Sequence, residues 1–376
     1  CLDSDVSKAL EGVNGSARVK PQKSYWQLAL LAASTKVIQS IQAKGITQMN
    51  KLVTIFGGSG FVGRYVARRM AKEGWRVRVA CRRPNEALFV KPYGQVGQVE
   101  PMFCNIRDDE SVRAVMQGAD AVVNCVGTFD RGGKNSFEAI QNEGAERVAR
   151  IAATLNVQQL VHISAIGADE NGASLYAQSK AAGEAAVRAA FPGAVILRPS
   201  VIFGPEDGFF NRFAGMSRLG PILPVVGAGT LFQPVYVDDV AAAVVKGVIG
   251  HAPAGVYELG GPDVESFRKL MGRMLTVIRR RRLVVNLPFF AAKALATVLD
   301  FGSAATLGLI RNGMLTRDQV VSLKSDNVVS AEAKGLVDLG ISATSMESVL
   351  PEYLWRFRPS GQYAAIKESA KNLRRD

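Results

Sequence analysis

The stretch "IFGGSGFVG" constrains this chain more than any other. It places Gly57, Gly60 and Gly63 in the pattern G-x-x-G-x-x-G, directly between a strand-like run and a helix-like run. Gly57 permits a tight turn, Gly60 lets backbone approach a pyrophosphate, and Gly63 lets the helix pack closely on the sheet. The helix N-terminus then offers N–H groups and a partial positive charge to phosphates. An isolated match of this kind is a plain glycine turn; the flanking strand and helix make it a candidate dinucleotide site.

From Leu52 onward the same alternation continues. "KLVTIFG", "RVRVACR", "VEPMFCNI", "DAVVNCVG" and "VQQLVHISAIG" read as strands. The helical patterns "GFVGRYVARRMAKEG", "DESVRAVMQGA", "FEAIQNEGAERVARIAATLN" and "YAQSKAAGEAAVRAAF" separate or follow them. Short apolar β-branched runs between helices specify a parallel sheet covered on both faces. The expected fold is therefore α/β: a Rossmann-type doubly wound parallel sheet with a smaller, mostly helical C-terminal lobe. Residues 1–48 read as an extension or docking arm, polar until Tyr25 and then briefly amphipathic. Residues 49–265 read as the nucleotide-binding domain, with part of the lobe inserted around 203–232. Residues 266–376 read as a basic helical lobe and tail.

Composition narrows the function classes. Among 376 residues, Lys and Arg outnumber Asp and Glu by 46 to 33, a formal net charge of +13. That excess favours anionic partners: phosphates, acidic protein surfaces or anionic lipid headgroups. No zinc-finger spacing or aromatic-rich RNA-binding signature occurs, so nucleic acid is not expected as a partner. Cys1, Cys81, Cys104 and Cys125 lack C-x-x-C spacing, and the last three lie in apolar or strand-like runs, which suits reduced thiols. With only His162 and His251, no metal site is expected. The longest apolar stretch is interrupted by Pro288, Lys293 and Asp300 and does not suit a lipid-exposed helix. The "RRRR" run at 279–282 precedes an apolar, partly amphipathic segment. It reads either as contact with an anionic surface, membrane interface or acidic partner, or as a solvated turn before a core helix.

The second strand bears on the identity of the dinucleotide. An NAD site usually ends that strand in Asp or Glu, which accepts hydrogen bonds from the ribose 2′-hydroxyl. Here it reads "VACRRP", where Arg82 and Arg83 would clamp a 2′-phosphate through charge-assisted hydrogen bonds. NADP(H) is expected over NAD(H).

Taken together, Gly57–Gly63, "NCVG" at 124–127, Tyr176 with Lys180, "LRPSVIFGP" at 197–205 and the later "VYVDDVA" resemble the extended short-chain dehydrogenase/reductase family. The resemblance implies cofactor contacts from Gly57, Ser59, Gly60, Phe61 and Gly63 at the loop, and from Arg82, Arg83, Asn105 and Ile106 beyond the second and third strands. It further implies contacts from Cys125, Val126, Gly127, Ser164, Tyr176, Lys180, Pro199, Ser200 and Val201. In that family the tyrosine donates a proton to a carbonyl, the lysine lowers the tyrosine pKa and binds the nicotinamide ribose, and a serine polarises the carbonyl. A phenol near pKa 10 needs such a cation to work as an acid–base group at neutral pH.

This chain departs from the pattern at the serine. "VHISAIGA" supplies only Ser164, and Ala165 and Ile166 offer no hydroxyl. Ser164, Tyr176 and Lys180 are accordingly expected to be vestigial as catalytic residues. The tail "LTRDQVVSLKSDNVVS" and "LGISATSMESVLPEYLWRFRP" is similar to an atypical branch of the same family, the dinucleotide-binding accessory subunits of respiratory complex I. That likeness implies tightly held NADPH, other complex I subunits as partners, and a peripheral station on the proton-negative face, near the junction of the hydrophilic and membrane arms. A free NADPH-dependent reductase acting on a hydrophobic carbonyl or quinone-like substrate stands as the alternative.

Overall fold

A computed structural model of the protein describes residues 51–128, 133–294, 296–297, 316–359 and 361–363. The expected arm at 1–48 lies outside the described residues.

Strand β1 (Leu52–Phe56) is buried along its whole length, as a strand covered on both faces must be. β2 (Arg76–Cys81) and β3 (Val99–Phe103) extend the sheet on one side of β1. β4 (Ala121–Asn124), β5 (Gln159–Ile163), β6 (Val195–Pro199) and β11 (Gly255–Leu259) extend it on the other. The order is β11-β6-β5-β4-β1-β2-β3, and every neighbouring pair is parallel. This is the doubly wound Rossmann-type sheet expected from the alternation of elements. Its order reverses between β1 and β4, and the crevice outside the carboxyl ends of strands at such a reversal is where this architecture holds ligands.

Helices cover both faces. On one, Val53 and Ile55 of β1 pack with α1 (Phe61–Lys72) and α6 (Val237–Val248). On the other, Phe56 and Val122 pack with α2 (Asp109–Met116), α3 (Glu143–Thr154) and Val187 of α4 (Leu175–Ala190). Thr54 is the polar exception inside β1, and its hydroxyl donates to the Val115 carbonyl.

The lobe has its own aromatic core. Phe203, Phe210, Phe232, Phe267, Met274, Leu350 and Tyr353 form one buried cluster. They come from the 201–232 region, from α7 (Phe267–Val277) and from α9 (Met346–Leu354). Two short pairings frame this cluster: β7 (Ile202–Phe203) runs parallel to β10 (Val235–Tyr236), and β9 (Leu231–Phe232) runs antiparallel to β12 (Glu265–Ser266). Within the part of the lobe inserted around 203–232 stand α5 (Phe210–Met216) and β8 (Ile222–Val226). The segment after the arginine run begins as a strand rather than a helix: β13 (Leu283–Leu287) pairs in parallel with β8. Two β-branched valines and a neighbouring strand with free backbone groups outweigh the segment's apolar helical pattern. After α8 (Arg317–Ser322) the chain turns back to the sheet. There Leu336 and Leu339 join the core beside β11, and the Thr344 N–H donates to Asp239. Among the described residues, no helix is long and apolar enough to cross a membrane.

Candidate dinucleotide site

The glycine loop joins β1 to α1 at the carboxyl edge of the sheet. Gly57 has φ of 72°, which side chains seldom adopt, and its N–H donates to the Ala80 carbonyl. A Cβ at Gly63 would lie 2.3 Å from the Gly57 carbonyl oxygen and 2.6 Å from Gly58 Cα, so α1 closes on the loop only because this residue has no side chain. No side chain caps α1 at Gly60, and Phe61, its first residue, packs edge-on against Tyr65. The first-turn N–H groups are thereby left for a ligand. The Ser59 hydroxyl bonds the Cys81 thiol, whose pKa is raised mainly by burial.

At the end of β2, Arg82 and Arg83 are both exposed. Arg83 pairs with Glu86 at 3.1 Å, whereas Arg82 has no ion pair among the described residues. Beyond β3, the Asn105 N–H donates to the Ser111 hydroxyl and the Asn105 carboxamide oxygen accepts the Arg107 N–H. Ile106 is buried beside Gly144 of α3.

On the other side of the reversal, "NCVG" turns over the end of β4. Asn124 Oδ1 accepts the Val126 N–H and thereby shapes the turn. Val126 lies against Gly57, and burial pushes the Cys125 thiol up to about 12. A Cβ at Gly127 would sit 3.8 Å from Lys180 Nζ, so the glycine leaves the ammonium approachable. Lys180 donates to the Ile163 carbonyl at 3.2 Å, and burial pushes it down to about 8 against the opposing pull of Glu184. Its Nζ lies 6.0 Å from the centre of the Tyr176 ring, which Phe137 meets edge-on. Burial pushes the Tyr176 phenol up to about 12.

Ser164 stands at the end of β5, 3% exposed, with its backbone N–H on the Leu197 carbonyl. Among the described residues its hydroxyl is the one buried side-chain polar atom without a hydrogen-bond partner. Buried hydroxyls are normally satisfied, so an orphan marks a place where a ligand group fits. The cradle at Gly63, the approachable Lys180 ammonium and this orphan hydroxyl together fit a nicotinamide dinucleotide.

Several residues of the site carry no motif. Asp318, 6% exposed, accepts the N–H groups of Leu175 at 2.8 Å and Tyr176 at 3.1 Å, beside the Ser174 hydroxyl that caps the same helix at Ala177. Asn327 Oδ1 accepts the Ser200 hydroxyl at 2.6 Å and the Val201 N–H at 3.0 Å. The polar groups of Ser200 and Val201 are thus engaged within the protein, while Pro199 closes β6 and accepts the Ile166 N–H. Gln141, in a π-helical turn at 138–142, links the Thr128 carbonyl to the Ser179 hydroxyl. Such single π turns recur at functional sites, but nothing in the sequence period marks this one.

Residues 53–260 match the NAD dependent epimerase/dehydratase family. The chain is 35% identical over 316 residues to the NADH dehydrogenase (ubiquinone) 1 alpha subcomplex subunit 9, mitochondrial, of Arabidopsis thaliana, a match covering 82% of this chain and 79% of that protein. It is 33% identical over 199 residues to a ceramide reductase of Caulobacter vibrioides, covering 53% of this chain and 61% of that one. In fold it is similar to the UDP-glucose 4-epimerase of Thermus thermophilus, solved in complex with NAD, at a TM-score of 0.59 and 18% identity over 82% of this chain and 99% of the epimerase.

Proposed function

The chain belongs to the NAD dependent epimerase/dehydratase family, and we propose that within it this protein is a non-catalytic, NADPH-holding accessory subunit of a respiratory NADH:ubiquinone oxidoreductase. One observation carries the subunit reading. A match covering 82% of this chain leaves out too few residues to end at residue 260, so it runs past the family domain into the C-terminal lobe. The ceramide reductase match covers 53%, an extent the nucleotide-binding domain alone can supply.

Family membership supports a nicotinamide dinucleotide as ligand. Two features of β2 support NADPH over NADH: the strand ends without an acid, and Arg82 stands exposed there with no ion pair among the described residues. The nicotinamide, when bound, offers a hydride. The residues around it are better suited to holding than to turnover. Burial raises the Tyr176 phenol where an acid–base role at neutral pH needs it lowered, and Ser164 is the lone hydroxyl of its strand end. The second reading, a free reductase, rests on the Tyr176–Lys180 pair and on the ceramide reductase likeness.

The expected station is peripheral, on the proton-negative face and against other subunits of the complex. The net charge of +13 supports an anionic setting. A groove lined by Arg279, Arg280, Arg281 and Arg282 supplies a candidate contact for anionic headgroups, with exposed Leu283 in its lining and the strand partner of Leu283, Ile222, also exposed, beside it. Arg280 and Arg282 anchor their Nε atoms to the Phe357 and Ser217 carbonyls, which holds the cations at the surface without neutralising them.

Purification from native membranes in mild detergent tests the proposal. Co-elution with a large respiratory complex, and stoichiometric NADP(H) on denaturing extraction, are expected. Elution alone with rapid NADPH oxidation on a carbonyl substrate would establish the reductase instead.

A further inference from the structure

The helix that presents Tyr176 and Lys180 holds only part of its own first turn, through the Ser174 hydroxyl, which accepts the Ala177 N–H. Its N–H groups at Leu175 and Tyr176 are taken by the two carboxylate oxygens of Asp318, a residue more than a hundred positions later. A carboxylate at a helix N-terminus is favoured by the helix dipole, and using both oxygens fixes its orientation as well as its distance. Burying that carboxylate is costly unless both oxygens are bonded, so the contact is sensitive to any shift of the helix.

The other rim is tied in the same way. Asn327 fastens the Ser200–Val201 turn after β6, the strand that pairs with β5 up to Ile163, directly before Ser164. Between these two ties the segment is pinned to the lobe. The Leu323 carbonyl accepts the Thr230 hydroxyl at 2.6 Å, Asp326 accepts the Leu231 N–H at 2.8 Å, and the Asn327 N–H donates to the Leu231 carbonyl at 2.8 Å. A single short segment therefore touches the Tyr176 side of the site, the Ser164 side, and the lobe.

We propose that the segment from Thr316 to Asn327 is a latch on the nicotinamide half of the site. Asp318 and Asn327 act as positioning residues for Tyr176 and for the turn beside Ser164, and dinucleotide occupancy and seating of the C-terminal lobe stabilise each other. The inference rests on the dinucleotide reading above and extends it. The coupling is reciprocal by linkage: whatever the latch adds to nucleotide affinity, the nucleotide returns to latch closure. The adenosine half, held by the glycine loop and Arg82 on the far side of the reversal, lies outside the latch's contacts.

The test titrates the full-length protein with NADPH and with 2′,5′-ADP, which carries the 2′-phosphate but no nicotinamide. Asp318→Ala should weaken NADPH binding on the order of tenfold, through two lost charge-assisted bonds, while 2′,5′-ADP binding stays within about twofold. Asp318→Asn, which keeps one acceptor, should fall between. Asn327→Ala supplies the same comparison at the other rim and serves if Asp318→Ala does not fold. In the wild type, NADPH but not 2′,5′-ADP should slow proteolytic cleavage within 316–327. Unchanged NADPH affinity in the variants, or equal weakening of both probes, would overturn the latch while leaving the dinucleotide reading intact. A wild-type chain that binds neither probe would overturn the dinucleotide reading, and the latch with it.

Discussion

The Asn124 carboxamide nitrogen lies 3.3 Å from Nδ1 of His162, across the paired central strands β4 and β5. Asn124 Oδ1 already accepts the Val126 N–H, so its nitrogen donates and His162 Nδ1 accepts. The imidazole is then neutral with its proton on Nε2. Burial, reinforced by the Lys180 charge, pushes its pKa down to about 3.

A pH dependence follows with a definite sign. An unfolded chain protonates this ring near the ordinary value of about 6.5, so from there down to the folded value the unfolded state binds more protons. Folding stability should therefore drop as pH falls through that window, by a few kcal/mol in order of magnitude. His162→Gln, which keeps an acceptor without a titrating ring, should flatten this part of the curve. Denaturant titrations across the window measure it, and parallel curves for the two proteins would show that His162 is not the source.

Gly63→Ala should be damaging because its Cβ would meet backbone at 2.3 and 2.6 Å, which has no rotamer through which to yield. A cost of about 1–3 kcal/mol, and loss of NADPH binding, are expected. Gly272→Ala, within α7, meets nothing within 4 Å and should stabilise by about 0.5–1 kcal/mol through helix propensity. Thermal denaturation of the pair checks both signs.

Arg82→Asp should weaken NADPH binding by about tenfold or more and NADH binding much less, since it replaces attraction for the 2′-phosphate by repulsion. Arg83→Ala should do less, because Arg83 is already paired with Glu86. Equal losses for the two nucleotides would show that Arg82 faces elsewhere.

Tyr176→Phe should cost about 1 kcal/mol of nucleotide binding and leave NADH:ubiquinone electron transfer by the assembled complex near normal. Lys180→Ala should cost more, about 1.5–3 kcal/mol, and reduce assembly before it alters electron transfer. A carbonyl substrate turned over by the isolated protein, and lost with Tyr176→Phe, would make the tyrosine catalytic.

Arg281→Glu should lower affinity for vesicles containing anionic phospholipid, since each cation at such a surface contributes about 1 kcal/mol. Binding that is unaffected by the substitution, or equal on neutral vesicles, would remove the groove from any membrane contact.

What was legible in the sequence follows from range. The loop from Gly57 to Gly63 carries its geometry within seven consecutive residues, and each strand of the sheet announces itself by its own β-branched run. The C-terminal lobe was harder to read because competing local patterns are settled by partners: Leu283–Leu287 is a strand because Ile222–Val226 lies beside it. Asp318 and Asn327 lie within the tail stretch that carries the resemblance, but nothing local marks what either one does. An aspartate at the start of a short helix looks like ordinary first-turn chemistry, and its role becomes visible only when the fold delivers it to Leu175 and Tyr176.

The placement of Asp318 also sets an order in time. During synthesis the glycine loop, Arg82, Tyr176 and Lys180 leave the ribosome long before residue 318 exists, so the nascent chain can grip the adenosine end of a dinucleotide before it can clasp the other. Completion of the grip then coincides with emergence of the segment that anchors the lobe. Under the proposed latch, full nucleotide retention requires a chain whose segment from Thr316 to Asn327 has cleared the ribosome. Ribosome-bound chains halted before residue 316, and full-length chains tethered by a linker long enough to clear the exit tunnel, would display the step when compared for resistance to protease with NADPH present.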